Sequence, residues 1–266
     1  MRKTFVNSLP KAGTNLVAKC LQLFGYSDKG VIASSLVLDN TITAKIGRLV
    51  LRPFKQGYII GIDMPVELSR YQIDKKLNNL GDSMFLVGHL GYTADLLYKI
   101  KELGFSPIVI IRDPRAVVNS FVHFVRNLKT HPLYETFNSM TEKDNFVLTV
   151  NGMFRGNVTI QPLRIRCMSL DSWLNANGVF KVKFEDLIGS KGGGSDEIQR
   201  EVLNSICDWL NIPKEKISYV VDNLFGPGRH SFRKGSIDSW KDEIPKGIIS
   251  LIENEMQDIL KKWNYT

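Results

Sequence analysis

Short apolar runs, each closed by charged or turn-forming residues and followed by a helical spacing of apolar positions, recur along this chain of 266 residues. The runs read as strands cover 4–9, 58–62, 83–87, 107–111 and 179–184. Helical spacing covers 14–24, 66–80, 93–103, 114–128, 142–153, 163–177, 196–210 and 246–262. Strands that alternate with helices pair in parallel and carry helices on both faces. The expected fold class is α/β: one domain over 1–266, with a central parallel β-sheet flanked by helices. Ligands of such sheets gather at the carboxyl ends of the strands. The polar clusters of this sequence stand at those ends.

Composition narrows the classes without choosing among them. A hydrophobic fraction of 43% supplies a globular core, and the formal charge of +8 favours an anionic partner. Cys20, Cys167 and Cys207 are far apart and form no Cys-x-x-Cys pair, so neither a disulfide framework nor a zinc site is expected. The residues after Met1 lack the apolar core of a signal peptide, and no run approaches the roughly 20 apolar residues of a bilayer span. A soluble, cytoplasmic protein with no membrane partner is expected. The stretch 189–195, Gly-Ser-Lys-Gly-Gly-Gly-Ser, reads either as a flexible surface loop or as a loop covering a ligand.

Three clusters have the chemistry of anion binding. After the first strand, Pro10-Lys11-Ala12-Gly13-Thr14-Asn15 makes a tight turn into a helix. Amides at a helix start point outward, and the helix dipole adds positive potential. Lys11 adds a full charge and Thr14 a hydroxyl. The order differs from a Walker A loop because the lysine precedes the glycine. At the fourth strand's end, Asp113 and Pro114 suit a helix cap and first turn, whereas Arg112 calls for an anion that fits its planar fork. Ser120 lies eight residues beyond Arg112. Arg233-Lys234-Gly235 places two cations beside a glycine, a third candidate nest.

Together these clusters resemble the signatures of the sulfotransferases that use 3′-phosphoadenosine-5′-phosphosulfate (PAPS). The first is similar to that family's 5′-phosphosulfate loop, a nucleotide-kinase-like phosphate-binding loop. Arg112 with Ser120 resembles its 3′-phosphate pair, and Arg233-Lys234-Gly235 with Trp240-Lys241 resembles its third signature. Phe184-Glu185-Asp186-Leu187 is similar to a fourth family segment. The matches run in family order from residue 6 to residue 241.

The resemblance implies a PAPS-dependent sulfotransferase that moves a sulfuryl group to a hydroxyl or amine of a small-molecule acceptor. It implies a donor site of Lys11, Ala12, Gly13, Thr14, Asn15, Arg112, Ser120, Arg233, Lys234 and Gly235, with Phe184 and Phe232 as aromatics near adenine. Lys11 would stabilise the leaving phosphate and Ser120 would steer Lys11; no metal is implied. Among four histidines, His89 follows a strand at the ligand end of the sheet and is the expected general base. His123 reads as a packed helix residue, His131 as a loop residue, and His230 as a minor candidate beside the third cluster.

The chain departs from the family pattern at three points. Val87 replaces a lysine, Asp238-Ser239 replaces Gly-Asp before Trp240, and no counterpart of the adenine-stacking tryptophan is evident. For the acceptor site, Phe121, Phe124, Tyr134, Phe137, Phe146 and Phe154 are candidate walls, and Asp63, Glu67 and Glu135 candidate polar contacts. Two alternatives stay open on the residues alone. A nucleotide or small-molecule kinase would use Asp63 as a magnesium partner, and a nucleic-acid-binding module would use the net charge. The acceptor's identity and the oligomeric state are not legible in the sequence.

Overall fold

The computed structural model describes residues 1–50, 57–155, 158–227 and 233–266. Five strands form the central sheet: β1 (Thr4–Ser8), β2 (Ser27–Ile32), β3 (Met84–Gly88), β4 (Ile108–Ile111) and β5 (Phe180–Lys183). Their order is β2-β3-β1-β4-β5, and every pairing is parallel. Val6 stands opposite Val87 on one side and Ile108 on the other, and Ile110 stands opposite Val182.

The strand pleat divides the core in two. Side chains alternate across a strand, so Phe5, Leu86, Val109 and Ile111 enter one cluster while Val6, Phe85, Val87, Ile108 and Ile110 enter the other. The second face is covered by α1 (Thr14–Phe24) and by the helices Asp196–Leu210 and Ile217–Leu224. The first face is covered by α2 (Pro114–Asn127), Ala94–Glu102, Leu163–Leu174 and Lys246–Lys262. Cys20, Cys167 and Cys207 are buried and unpaired. Among the described residues, no helix is long and apolar enough to cross a membrane.

Strand order fixes where a ligand belongs. After β1 the chain runs to the β2 edge, and after β4 it runs to the β5 edge, so the connections diverge between β1 and β4. That divergence opens a crevice at the strands' carboxyl ends. The loop 9–13 leaves β1 there, and Arg112 follows β4 directly.

Several expectations are corrected. The run at 58–62 is a strand only over Tyr58–Ile60, and it pairs antiparallel with Val66–Leu68, apart from the central sheet. The helix expected from 66 therefore begins at Arg70. The sheet's edge strand is instead β2, Ser-Asp-Lys-Gly-Val-Ile, whose register shifts between Asp28 and Val31. Edge strands tolerate charge and irregularity, so no apolar run announces it. Residues 190–192 form a short turn with Gly192 buried, and Gly192 O accepts from Ile237 N at 3.1 Å. The glycine-rich stretch is thus packed support for residues 235–237.

Candidate active site

The loop after β1 is shaped by backbone strain and close packing. Lys11 has φ of 72° and Gly13 of 110°, both left-handed. A Cβ on Gly13 would stand 2.7 Å from Phe184 Cδ2 and 2.9 Å from Ile110 Cδ1, so only glycine lets the turn lie this close to β4. Ala12 faces the core with no exposure, and its amide donates to Leu9 O at 3.1 Å. Thr14 opens α1, and its hydroxyl shares a hydrogen bond with the Ser8 hydroxyl.

Arg112 ties the three sequence clusters together. Its guanidinium lies over the Phe184 ring at 4.1 Å, with Nη1 donating to Lys11 O at 3.4 Å and Nη2 to Ser236 O at 3.0 Å. The side chain is buried, and its Nε has no hydrogen-bond partner. A buried donor without a partner is costly, and an anion would satisfy it. Behind it, Asp113 caps α2 by accepting from Arg115 N at 2.8 Å. Asp113 N donates to Glu185 Oε1 at 3.1 Å, which fixes the Phe184-Glu185 segment beside Arg112.

A cavity of about 340 Å³ opens at this crevice. It is lined by Lys11, Gly13, Thr14, Asn15, His89, Arg112, Ser120, Phe184, Arg233, Lys234 and Gly235, among others. Residues separated by more than 200 positions thus share one wall. Phe232 and His230 fall outside the described residues. Five cations (Lys11, Lys19, Arg112, Arg233 and Lys234) line the cavity, and no carboxylate stands among its described lining residues. The positive field acts on Lys11 itself. Burial, then the charges of Arg112 and Arg233, push the Lys11 pKa down to about 8.

His89 follows β3 and is held at both ends. Gly61 N and Ile62 N donate to its carbonyl at 2.8 and 2.9 Å, and its own amide donates to Ile32 O at 3.2 Å. On the ring, Nδ1 lies 3.0 Å from Ser8 O. A carbonyl only accepts, so the proton is on Nδ1 and Nε2 carries the lone pair. Burial pulls the His89 pKa below its ordinary value; Asp63 and the Ser8 bond oppose this, and Lys11 adds to it. The neutral ring is therefore the favoured form at pH 7.

Several residues here carry no sequence signal of their role. Glu243 accepts from Asn119 Nδ2 at 2.8 Å and from Lys234 Nζ at 2.6 Å, and it pairs with Arg233 Nη2 at 2.8 Å. His123 Nε2 lies 3.1 Å from the same carboxylate, so His123 is a polar partner and not a purely packed residue. Against the cost of its burial, the bonds from Arg233, Lys234 and Asn119 hold the Glu243 pKa down to about 2. Lys19 lies on the cavity and donates to Phe225 O at 3.1 Å. It stands one turn past Asn15 on α1.

The acceptor candidates sort sharply. Phe121, Phe137 and Phe146 are core residues, Phe154 is exposed, and Phe124 alone of the six lines the cavity. Glu135 is exposed, and Glu67 accepts from Gly57 N at 2.7 Å away from the cavity. Asp63 is buried and does not line the cavity. His131 is buried edge-on against Phe121 and Phe124, and burial takes its pKa down to about 4.

Comparison with known proteins bears on the fold and the family. The family profile described as the sulfotransferase domain matches residues 1–264. Among solved structures, a mouse sulfotransferase, SULT7A1, complexed with PAP superposes with a TM-score of 0.60 at 17% identity, over 98% of this chain and 85% of that one. Retinol dehydratase in complex with androsterone and inactive cofactor PAP gives 0.59 at 16% identity, over 98% and 82%. No curated protein sequence matches the chain. These likenesses establish a shared fold, and the profile that spans nearly the whole chain establishes that it belongs to the sulfotransferase family.

Proposed function

We propose that the cavity binds PAPS and transfers its sulfuryl group to a small-molecule acceptor, with His89 as general base and Lys11 at the leaving phosphate. The observation that carries this reading is the set of five cations lining one cavity, among them a buried Arg112 whose Nε lacks a partner. A donor phosphorylated at both ends suits cations drawn into one cavity from three segments of the chain better than a single phosphate does. Lys11 with the start of α1 serves one end. Arg112, Ser120, Arg233 and Lys234 serve the other. A volume of about 340 Å³ lies within the usual range of ligand pockets. Leu16, Ile188, Leu224 and Phe184 supply an apolar wall suited to a base, where the family's tryptophan has no counterpart.

When bound, PAPS supplies an activated sulfuryl group and a phosphate leaving group. The protein's task is then positioning and charge control. His89 Nε2 accepts the acceptor's proton, as its Nδ1–H bond to Ser8 O orients the ring. Lys11, protonated below about pH 8, donates to the oxygen on which negative charge accumulates. Retinol dehydratase binds androsterone and retinol in its solved complexes, and a small organic acceptor is the corresponding reading for this chain. The kinase alternative loses its residue, because Asp63 does not face the cavity.

Calorimetric titration with 3′,5′-adenosine diphosphate in the absence of magnesium tests the donor assignment. Saturable binding that is weakened by Lys11→Ala and by Arg112→Ala is expected. No affinity for that bisphosphate, together with tight magnesium–ATP binding, overturns it.

A further inference from the structure

The helix Ile42–Val50 wears its apolar face outward. Successive residues of an α-helix step by about 100°, so Ile42, Ile46, Leu49 and Val50 share one side. They are 76%, 55%, 71% and 56% exposed. The opposite side meets the protein through small and polar groups. Ala44 is buried, and a Cβ on Gly47 would stand 2.2 Å from Leu36 O, so the helix backbone lies directly on Ser35–Leu38. Arg48 reaches back on that side, its Nη1 donating to Val37 O at 2.6 Å.

This is the reverse of a surface helix in an isolated globular protein, which turns its apolar stripe toward the core. Scattered exposed apolar residues are ordinary, but four on one side of a nine-residue helix form a patch that marks an interaction surface. The charge around it says what kind. Between Asp39 and Asp63 the sequence holds four basic residues, Lys45, Arg48, Arg52 and Lys55, and no further Asp or Glu, in a chain of net charge +8. Lys45 is exposed beside the stripe. A second copy of the chain would bring this helix against its own like, setting the exposed Lys45 near its counterpart, while the flanking carboxylates are withdrawn from the surface, Asp39 half-buried and Asp63 buried. A surface that is anionic at its rim and apolar beneath meets both halves of the pattern, which is the composition of an anionic phospholipid interface.

We propose that the outward face of the helix Ile42–Val50 is a docking surface for anionic membrane lipid. This goes beyond sulfuryl transfer and does not depend on it. A search for spanning segments passes over such a helix, which lies in the interface instead of crossing it.

Co-sedimentation of the full chain with unilamellar vesicles tests the proposal, using phosphatidylcholine alone and phosphatidylcholine mixed with phosphatidylserine. Binding to the mixed vesicles that weakens as salt is added, with little binding to phosphatidylcholine alone, is expected. Leu49→Gln should lower the partition coefficient about tenfold, as expected for a leucine withdrawn from an apolar phase. Lys45→Gln should lower it about fivefold, the worth of one basic residue near an anionic surface. Tyr98→Gln, an equally exposed site on another helix, should leave it unchanged. Circular dichroism melting checks each fold, and if Leu49→Gln melts early, Ile46→Gln serves in its place. The proposal is overturned if neither vesicle binds the wild type, or if the stripe variants bind as well as the wild type. It is equally overturned if sedimentation equilibrium shows a dimer that Leu49→Gln dissociates, because the stripe then belongs to a second copy.

Discussion

The Lys11 ammonium stands over the ring of Phe124, 4.2 Å from its centroid, and Phe124 lies one helical turn beyond Ser120 on α2. Both side chains line the cavity, so Lys11 rests on the same helix face that carries its expected steering serine. The aromatic face partly offsets the charge that burial, Arg112 and Arg233 make costly. Lys11 is thereby held as a cation whose proton is loosely bound, which suits a group that must donate to a leaving oxygen.

A pH profile follows from this arrangement. As the proposed base His89 acts only when neutral, and burial depresses its pKa below the ordinary value, so kcat/KM should rise with pH on the acid side and level off before neutrality. In its proposed role Lys11 acts only when protonated, so kcat/KM for the donor falls as pH passes about 8. Arg233→Gln removes one of the charges that depress the Lys11 pKa, and it should move the alkaline limb of kcat/KM upward. An alkaline limb that stays in place in Arg233→Gln would separate Lys11 from that limb.

Arg112 should resist conservative replacement. Its fork bonds to Lys11 O and Ser236 O while its plane lies on Phe184, and a lysine reproduces neither contact. Arg112→Lys and Arg112→Ala should both weaken 3′,5′-adenosine diphosphate binding by about 10²-fold, the scale of about 3 kcal/mol lost with a buried, hydrogen-bonded charge. Calorimetry reads this directly. Recovery of near-normal affinity in Arg112→Lys would show that charge alone matters there.

How much of this was legible in the sequence depends on where each residue draws its stability. The helices Thr14–Phe24, Asp196–Leu210 and Lys246–Lys262 match their expected bounds because their own apolar spacing decides them. β2 escapes notice because Ser27–Ile32 is held by pairing with β3 and not by apolar content. Lys11, His89 and Arg112 declare themselves by following strands. Glu243 does not, since its partners Asn119 and His123 lie some 120 residues away on α2. The apolar side of Ile42–Val50 is likewise invisible to a reading that assigns apolar stripes to the core.

Glu243 should act as the anchor of the basic pair. It is the shared acceptor for Arg233, Lys234 and Asn119, and these bonds depress its pKa to about 2. A depressed carboxyl pKa contributes stability that is present above the unfolded value near 4.5 and is lost as pH falls toward 2. Glu243→Gln should therefore cost about 1–2 kcal/mol at pH 7 and flatten the loss of stability below pH 4.5. Urea unfolding at pH 7 and at pH 3 provides the comparison. An equal difference between wild type and variant at both pH values would show that the carboxylate's charge is not what holds the loop.

His89→Gln isolates the proposed base from the donor site. Glutamine retains a donor for Ser8 O and roughly fills the space, but it has no basic nitrogen to take a proton. The backbone bonds that fix residue 89, from Gly61 N, Ile62 N and to Ile32 O, do not depend on the side chain, so the fold and the cationic cavity should survive. Removal of a general base costs about 10²–10⁴-fold in rate. We therefore expect kcat to fall on that scale while 3′,5′-adenosine diphosphate binds with wild-type affinity, and the acid limb of the pH profile to disappear. A variant that keeps its kcat, or that loses donor binding in step with activity, would take His89 out of the proton transfer and make it a residue that only shapes the cavity.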